Sequence, residues 1–298
     1  MDNFHELYLF LISKISRISL ISIPLHSIRK LNPPKKRIKI KIITTFELFK
    51  KYFKLLNLFN SANRKRVLMY HSVTYSPKVD ALITNPVDFE RQILALKKSG
   101  YTFISLSELL DKSAHSQGVR TIAVTFDDGY LNQYEFAYPI LQAYRVPATI
   151  FLPTAFIGDE SRWDHENAKA IMPTQVLKSL DSDLISFGLH THQHINYEVE
   201  SLTNILNDLE KNILSMQQQN LSYLPALAYP YGKRPRDPSV KRQLFEHMKD
   251  LGIQYGFRIG NRINKNIDKN PYEIQRIDMK GTDSHETLMR RIRFGKIF

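Results

Sequence analysis

The sequence predicts an α/β fold in which a parallel sheet closes into a (β/α) barrel of seven or eight strands. From residue 67 onward, short apolar segments alternate with amphipathic segments of helical periodicity. Such alternation is typical of parallel sheets covered by helices. Seven or eight repeats within roughly 230 residues fit a barrel better than an open sheet. A barrel also predicts where function lies, because active sites form at the C-terminal ends of its strands.

The predicted elements follow one another in order along the chain. The strands are VLMYHSV (67–73), TFISL (102–106), TIAVTF (121–126), ATIFLPT (148–154), LISFGLH (184–190), LPALAYP (224–230), YGFRI (255–259) and EIQRIDM (273–279). The helices cover 86–100, 133–146, 202–219 and 239–252, where apolar residues recur at three- and four-residue spacing.

Charge divides the chain into two parts. Residues 1–66 carry fifteen Lys and Arg against three acids, and therefore hold +12 of the total net charge of +13. Residues 67–298 are nearly neutral, with 27 basic and 26 acidic side chains. We therefore expect a basic N-terminal segment, 1–66, followed by a catalytic domain, 67–298. A basic arm of this kind favours an anionic partner.

The N-terminal segment contains two apolar stretches. Residues 7–25 are interrupted by Lys14 and Arg17, so they do not predict a spanning helix. Residues 46–59 place aromatic and leucine side chains at helical spacing beside lysines, which is typical of a helix lying in a membrane interface. The alternative is a helix packed on the catalytic domain. The segment lacks the pattern of a secretory signal, which favours the cytoplasm or peripheral contact with the cytoplasmic face of an anionic membrane. No nucleic-acid motif is visible, so no nucleic-acid partner is expected.

Residues capable of chemistry cluster at the ends of four predicted strands. The first strand contains His71, the third runs into Asp127 and Asp128, the fifth into the histidines of GLHTHQH, and the sixth ends in YPYG. Each motif alone has an ordinary explanation, since Asp-Asp-Gly and Pro-Gly sequences form turns and a strand-end histidine is often structural. Their joint occurrence at successive strand ends is harder to explain by packing.

These residue types suit a metal-dependent hydrolase. The chain has no cysteine, so any metal must be bound by His, Asp or Glu. His190 and His194 are four residues apart, and on a helical turn this spacing places both imidazoles on one face. Two histidines and one aspartate form a three-ligand site with open positions, as in catalytic metal centres. One acid of the pair can then bind the metal while the other serves as general base.

At these residues the sequence resembles the polysaccharide deacetylase (NodB-homology) family of carbohydrate esterases, over about residues 67–280. TFDDGY, HTHQH and YPYG resemble the family's first three motifs. VLMYHSV, followed by FERQILALKKSGYTFISLSEL, resembles the branch of poly-N-acetylglucosamine deacetylases, whose catalytic histidine lies on an N-terminal strand. The resemblance implies a distorted (β/α) barrel and a zinc ion or another divalent transition metal.

The resemblance also implies a role for each residue. Asp127 would be the general base and His71 the general acid, while the backbone N–H of Tyr231 would help to bind the oxyanion. The implied metal ligands are Asp128, His190 and His194. Two departures accompany these roles. Ala228-Tyr229 stands where many members have an arginine that contacts the base, with Arg276 as a candidate substitute, and the C-terminal Leu-x-His motif is missing.

The implied function is removal of N-acetyl groups, with release of acetate, from an N-acetylated sugar, a cell-surface polysaccharide or its lipid-linked precursor. One alternative is an O-acetyl esterase acting on a glycan. The other is a catalytically silent module that binds a glycan or a membrane. The presence of a complete set of acid, base and ligand residues favours an enzyme.

Overall fold

The computed structural model describes residues 64–77, 80–111, 120–164 and 167–296, so the helices predicted for the N-terminal segment lie outside the described residues. The strands are β1 (Arg66–Tyr70), β2 (Ser72–Val73), β3 (Ile83–Thr84), β4 (Tyr101–Phe103), β5 (Arg120–Phe126), β6 (Ala148–Leu152), β7 (Ile185–Leu189), β8 (Ala226–Ala228), β9 (Tyr255–Ile259) and β10 (Ile274–Asp278). The α-helices are α1 (Pro86–Lys98), α2 (Leu106–Leu110), α3 (Tyr138–Ala143), α4 (Thr174–Ser179), α5 (Leu202–Gln218), α6 (Pro238–Asp250) and α7 (His285–Phe294).

Seven parallel strands close into a barrel, which confirms the predicted fold. Their order is β1-β10-β9-β8-β7-β6-β5, and β5 pairs back onto β1 to complete the ring. The short strand β4 is an extra member that pairs with the first residues of β5. The register aligns Tyr70 with Phe126 and Met69 with Asp278, so the C-terminal ends of β1, β5 and β10 lie level.

Alternating residues of the strands face two apolar regions. Leu68 and Tyr70 of β1 belong to a large cluster shared with the covering helices, whereas Val67 belongs to a second cluster. That second cluster unites β1, β5, β6, β8, β9 and β10, so it fills the barrel interior. Side chains of α2 join it, among them Leu106 and Leu109. The strand ends that carry the predicted site are therefore supported by a packed interior.

Several element boundaries differ from the sequence prediction, and two of the differences have clear local reasons. The predicted strand 102–106 ends at Phe103, because Ser105 begins α2 through a capping box with Glu108. The predicted helix 133–146 starts as a π-helical turn, Gln133–Ala137, before continuing as α3. Turns of this type are frequent at functional sites.

The barrel begins before residue 67, since β1 starts at Arg66. Lys65 exchanges backbone hydrogen bonds with Asn264, at 2.9 and 3.0 Å, and the Arg66 Nε donates to the carbonyl oxygen of Ile292 at 2.8 Å. Residues 64–66 are thus integrated with the barrel. Among the described helices, none combines the length and the apolar character that crossing a bilayer requires.

Candidate active site

The C-terminal ends of five strands converge on one site. Strand β5 leads into Asp127 and Asp128, β7 into the loop 190–194, and β1 into His71. Strand β8 is followed by the short 3₁₀ helix Pro230–Gly232, and β10 contributes residues from the barrel interior. All the side chains proposed from sequence therefore come from one rim of the barrel, as the position of active sites in such barrels predicts.

Three of these residues form a compact buried cluster. The Nε2 atoms of His190 and His194 lie 3.4 and 3.2 Å from Oδ1 of Asp128. One ligand atom from each residue lies within 4.8 Å of the other two. The three residues are only 1, 6 and 3% exposed for His190, His194 and Asp128 respectively. A single ion could therefore contact all three.

The donor set fits a divalent cation. Nδ1 of His190 lies 2.7 Å from the carbonyl oxygen of Ala228, and because a carbonyl only accepts, this nitrogen carries a proton. In the neutral ring the Nε2 lone pair then faces Asp128, whose buried Oδ1 has no hydrogen-bond partner. Two imidazoles and one carboxylate are suitable ligands for zinc and related transition ions.

Electrostatics also draw positive charge to this cluster. Burial opposes a charge on His190, yet the carboxylates of Asp127 and Asp128 raise its pKa above the ordinary value. Burial likewise opposes ionisation of Asp128, but its contacts with His190 and His194 hold its pKa well below the usual range. The cluster of Asp128 and His190 therefore favours binding of a positive charge, either a proton or a metal ion.

The histidine spacing works through a loop, and the expectation of a helical turn is wrong. Residues 190–194 are not helical, and both Thr191 (φ 66°) and His194 (φ 53°) are left-handed. These two left-handed residues bring the imidazoles of His190 and His194 to a centroid separation of 5.0 Å.

The Asp-Asp-Gly turn also has left-handed backbone, at Asp128 (φ 73°) and Gly129 (φ 66°). A Cβ on Gly129 would lie 2.6 Å from Cδ2 of Leu152, and together with the left-handed backbone this contact favours glycine there.

Asp127 is paired with Arg276 inside the barrel. The Nη1 and Nη2 atoms of Arg276 donate to Oδ1 and Oδ2 of Asp127 at 2.5 and 2.6 Å. Burial alone would raise the pKa of Asp127, but the Arg276 guanidinium, assisted by His190 and His71, holds this pKa below its ordinary value. Arg276, the candidate substitute for the missing third-motif arginine, thus contacts Asp127 directly. The carboxylate is ionised at neutral pH.

His71 reaches the same site from β1. Its Nε2 lies 3.9 Å from Oδ2 of Asp127, and its side chain is 14% exposed. The Nε2 amide of Gln133 donates to the backbone carbonyls of both His71 and Asp127, at 2.9 and 2.7 Å. Asp278, at the end of β10, is buried, and burial raises its pKa above the ordinary value. The side chain of Gln133 therefore ties the backbone of His71 to that of Asp127.

Aromatic rings line the mouth of the site. Trp163 stacks on His194 with a centroid separation of 4.1 Å, and Tyr231 meets the same imidazole edge-on at 4.9 Å. Tyr231 is left-handed (φ 58°) and half exposed. Tyr231, to whose N–H the resemblance assigns oxyanion binding, thus borders the cluster of Asp128, His190 and His194.

Several residues near the site, Asp278 among them, had no role in the sequence analysis. Trp163 is the sole tryptophan of the chain, but it lies in a loop without a recognisable motif. Gln133 opens a π-helical turn that apolar periodicity cannot identify. Asp208 and Asn212 had a detectable signal, because they are polar residues at helical spacing on the apolar face of α5.

Comparisons with known proteins agree with this geometry. The family model described as polysaccharide deacetylase matches residues 114–256. A poly-beta-1,6-N-acetyl-D-glucosamine N-deacetylase of Staphylococcus aureus is 30% identical over 214 residues, covering 68% of this chain and 69% of the relative.

Solved structures share the fold. The Streptococcus pyogenes deacetylase PplD, in complex with acetate, superposes with a TM-score of 0.63 at 23% identity, covering 77% of this chain and 98% of that chain. IcaB from Ammonifex degensii gives a TM-score of 0.63 at 20% identity and covers 77% of this chain and 95% of its own.

Proposed function

The chain belongs to the polysaccharide deacetylase family, and from this premise we propose that it hydrolyses N-acetyl groups of an N-acetylated glucosamine polymer and releases acetate. The staphylococcal relative is named for poly-beta-1,6-N-acetyl-D-glucosamine, and we carry that substrate class to this chain. The observation that best supports the proposal is the joint placement of an arginine-paired carboxylate, a facing histidine and a buried cluster of one aspartate and two histidines at one barrel rim.

Each residue has a distinct task in the proposed reaction. Asp128, His190 and His194 would hold a divalent transition ion, most simply zinc. When bound, such an ion supplies positive charge that polarises the acetyl carbonyl and makes an attacking water more acidic. Asp127, kept ionised by Arg276, accepts the proton of that water. The remaining catalytic group would be His71, whose Nε2 lies 3.9 Å from Oδ2 of Asp127.

His71 would complete the reaction by protonating the leaving amine. A sugar amine is a poor leaving group, so C–N cleavage requires a proton donor close to the nitrogen. The position of His71, 3.9 Å from the base, allows both groups to face one acetamide. The Tyr231 N–H would donate to the oxyanion that develops on the carbonyl oxygen. Atoms balance as amide plus water giving acetate and a free amine.

We also propose that the basic N-terminal segment, residues 1–66, contacts an anionic membrane surface peripherally, while its last residues Lys65 and Arg66 bond to Asn264 and Ile292. The support is the charge division, because this segment holds +12 of the net charge of +13. Near an anionic bilayer each Lys or Arg contributes about 1 kcal/mol, within a Debye length of the surface. Apolar stretches between the cations would add a contribution less sensitive to salt.

The function is tested by the products formed from defined substrates. Zinc-loaded protein would be incubated with β-1,6-linked N-acetylglucosamine oligomers and, separately, with an O-acetylated glycan that has no N-acetyl group. We expect acetate and free amine in equal amounts from the N-acetylated oligomers. Acetate released only from the O-acetylated glycan would instead identify an esterase, and no acetate from either, with oligomer binding, would identify a silent binding module.

A further inference from the structure

Helix α5 directs two buried polar side chains at the loop 190–194. Asp208 and Asn212 are one helical turn apart and are 5 and 0% exposed. They interrupt an apolar face that also contains Ile205, Leu209 and Met216. A buried carboxylate and a buried amide weaken an apolar face unless they make specific hydrogen bonds. Their partners therefore indicate what they do.

Asp208 binds the backbone of the loop. Its Oδ2 accepts from the N–H of His192 at 2.7 Å, and its Oδ1 accepts from the N–H of Gln193 at 2.8 Å. These two successive amides lie between the proposed ligands His190 and His194. Both carboxylate oxygens thus accept from adjacent backbone N–H groups, and this two-point contact holds the middle of the loop.

Asn212 acts on the loop through a neighbouring turn. Its Nδ2 amide donates to Oγ1 of Thr154 at 2.8 Å and to the carbonyl oxygen of Leu152 at 3.3 Å. Because that Thr154 oxygen accepts from Asn212, its own hydroxyl hydrogen is available for Nδ1 of His192, 2.9 Å away. The N–H of Ala155 also donates to the carbonyl oxygen of His192 at 3.0 Å. The loop is thus held by Asp208 at its N–H groups, and by Thr154 and Ala155 at the side chain and carbonyl oxygen of His192.

The loop requires such support because its backbone is strained. Thr191 and His194 are both left-handed without being glycine, with φ values of 66° and 53°. Residues in this region persist only where the surrounding structure fixes them, and they concentrate at functional sites. Relaxation of either residue to the ordinary backbone region would turn an imidazole away from Asp128.

We infer that Asp208 and Asn212 are positioning residues that hold the loop 190–194 in the shape that aims both imidazoles at Asp128. The inference rests on the proposed function, since it assigns a metal to that cluster. Neither residue contacts the cluster itself, so each acts through the loop backbone or through Thr154 and His192. Partners of this kind, beyond the ligands themselves, typically change metal affinity by about 10–100-fold when they are removed.

The test uses full-length protein and Co²⁺, whose visible absorption reports ligand geometry. Asp208→Asn replaces one accepting oxygen by an amide donor that faces a backbone N–H. We expect its Kd for Co²⁺ to rise about 10–100-fold, with an altered visible spectrum. Glu210→Gln is the matched control, because it removes the same charge from an exposed position on the same helix. Its affinity and spectrum should equal those of the wild type.

A second variant keeps the test decisive if Asp208→Asn cannot be purified folded. Thr154→Val retains the side-chain shape but removes the hydroxyl between Asn212 and His192, and we expect a smaller loss of Co²⁺ affinity with a spectral change. Wild-type affinity and spectrum in the folded variants would overturn the inference while leaving the proposed metal site intact. Failure of the wild-type protein to bind Co²⁺ would overturn both.

Discussion

Arg276 and Asp127 form a two-point ion pair inside the barrel, although 149 residues separate them in sequence. Arg276 belongs to β10, and its guanidinium lies over the ring of Phe151, 5.4 Å from the ring centroid. Its Nη1 also lies 3.4 Å from Oγ1 of Thr125. The pair orients the carboxylate and keeps it ionised, which are the two properties that a general base requires.

Removing the guanidinium should move the acidic limb of the kcat/KM profile to higher pH. Burial raises the pKa of Asp127 and Arg276 opposes that effect, so in Arg276→Met burial acts with less opposition. In the wild type the ionised base persists to pH values below the ordinary aspartate pKa. In Arg276→Met protonation begins at higher pH and activity falls there. Comparison of pH–rate profiles of the two metal-loaded proteins measures the shift.

A lysine variant separates charge from geometry at this position. Arg276→Lys keeps a positive charge but cannot make the two-point contact, so its acidic limb should move less than that of Arg276→Met. Arg276→Met leaves Asp127 as a buried charge without its partner, so the unfolding free energy of this variant should fall by about 3–5 kcal/mol. An acidic limb that stays in place in folded Arg276→Met would contradict the role of Arg276.

The base itself can be removed without disturbing the proposed ligands. Asp127→Asn should bind metal with wild-type stoichiometry, yet its kcat should fall by about 10²–10⁴, because an amide cannot accept the proton of water. Elemental analysis and acetate release from the same preparation provide both readouts. Asp183→Asn, at an exposed acid, is the control and should be fully active. Wild-type turnover by metal-loaded Asp127→Asn would assign the base elsewhere.

The proposed acid is tested by changing the leaving group. His71→Ala should retain metal but lose far more activity on the N-acetyl sugar than on an activated phenyl acetate ester, because a phenolate leaves without prior protonation. The ratio of the two kcat/KM values is the readout. His285→Ala, at an exposed histidine of α7, should leave the ratio unchanged. An equal loss on both substrates would argue that His71 is structural or a ligand.

The N-terminal segment is tested by a truncation that keeps the residues bonded to the barrel. A chain starting at Arg64 retains Lys65 and Arg66, which bond to Asn264 and Ile292. It should fold, bind metal and lose co-sedimentation with anionic vesicles, whereas full-length protein should bind them in a salt-dependent way. Neutral vesicles are the control. Undiminished binding by the truncated chain, or its failure to fold, would contradict the proposed role of residues 1–66.

Much of the site was predictable because parallel strands place their C-terminal ends together. The alternation of strands and helices identified the barrel. Because active sites of such barrels lie at the C-terminal ends of the strands, His71, the two aspartates and the histidine loop could then be grouped into one site. The role of Arg276 was harder to predict, because its contact depends on which strands face each other across the closed barrel. Sequence periodicity does not specify that arrangement.

The loop 190–194 shows a second limit of sequence reasoning. A four-residue histidine spacing resembles a helical turn, and nothing in the identities of Thr191 and His194 indicates left-handed backbone. The conformation depends on hydrogen bonds from a distant helix, through Asp208 and Asn212. His190 and His194 do lie together against Asp128, but the helical turn that was expected to bring them together is absent from this stretch. Polar residues on the apolar face of a predicted helix were the available signal.

The central claim is that Asp128, His190 and His194 hold one metal ion on which deacetylation depends. The most direct measurement adds Zn²⁺ back to chelator-stripped wild-type protein while acetate release from N-acetylglucosamine oligomers and bound zinc are followed together. Acetate release should rise in proportion to bound zinc and saturate at one equivalent per chain. The variants Asp128→Ala, His190→Ala and His194→Ala should bind little zinc and remain inactive. Undiminished acetate release by metal-free protein, or full zinc occupancy in all three variants, would contradict the claim.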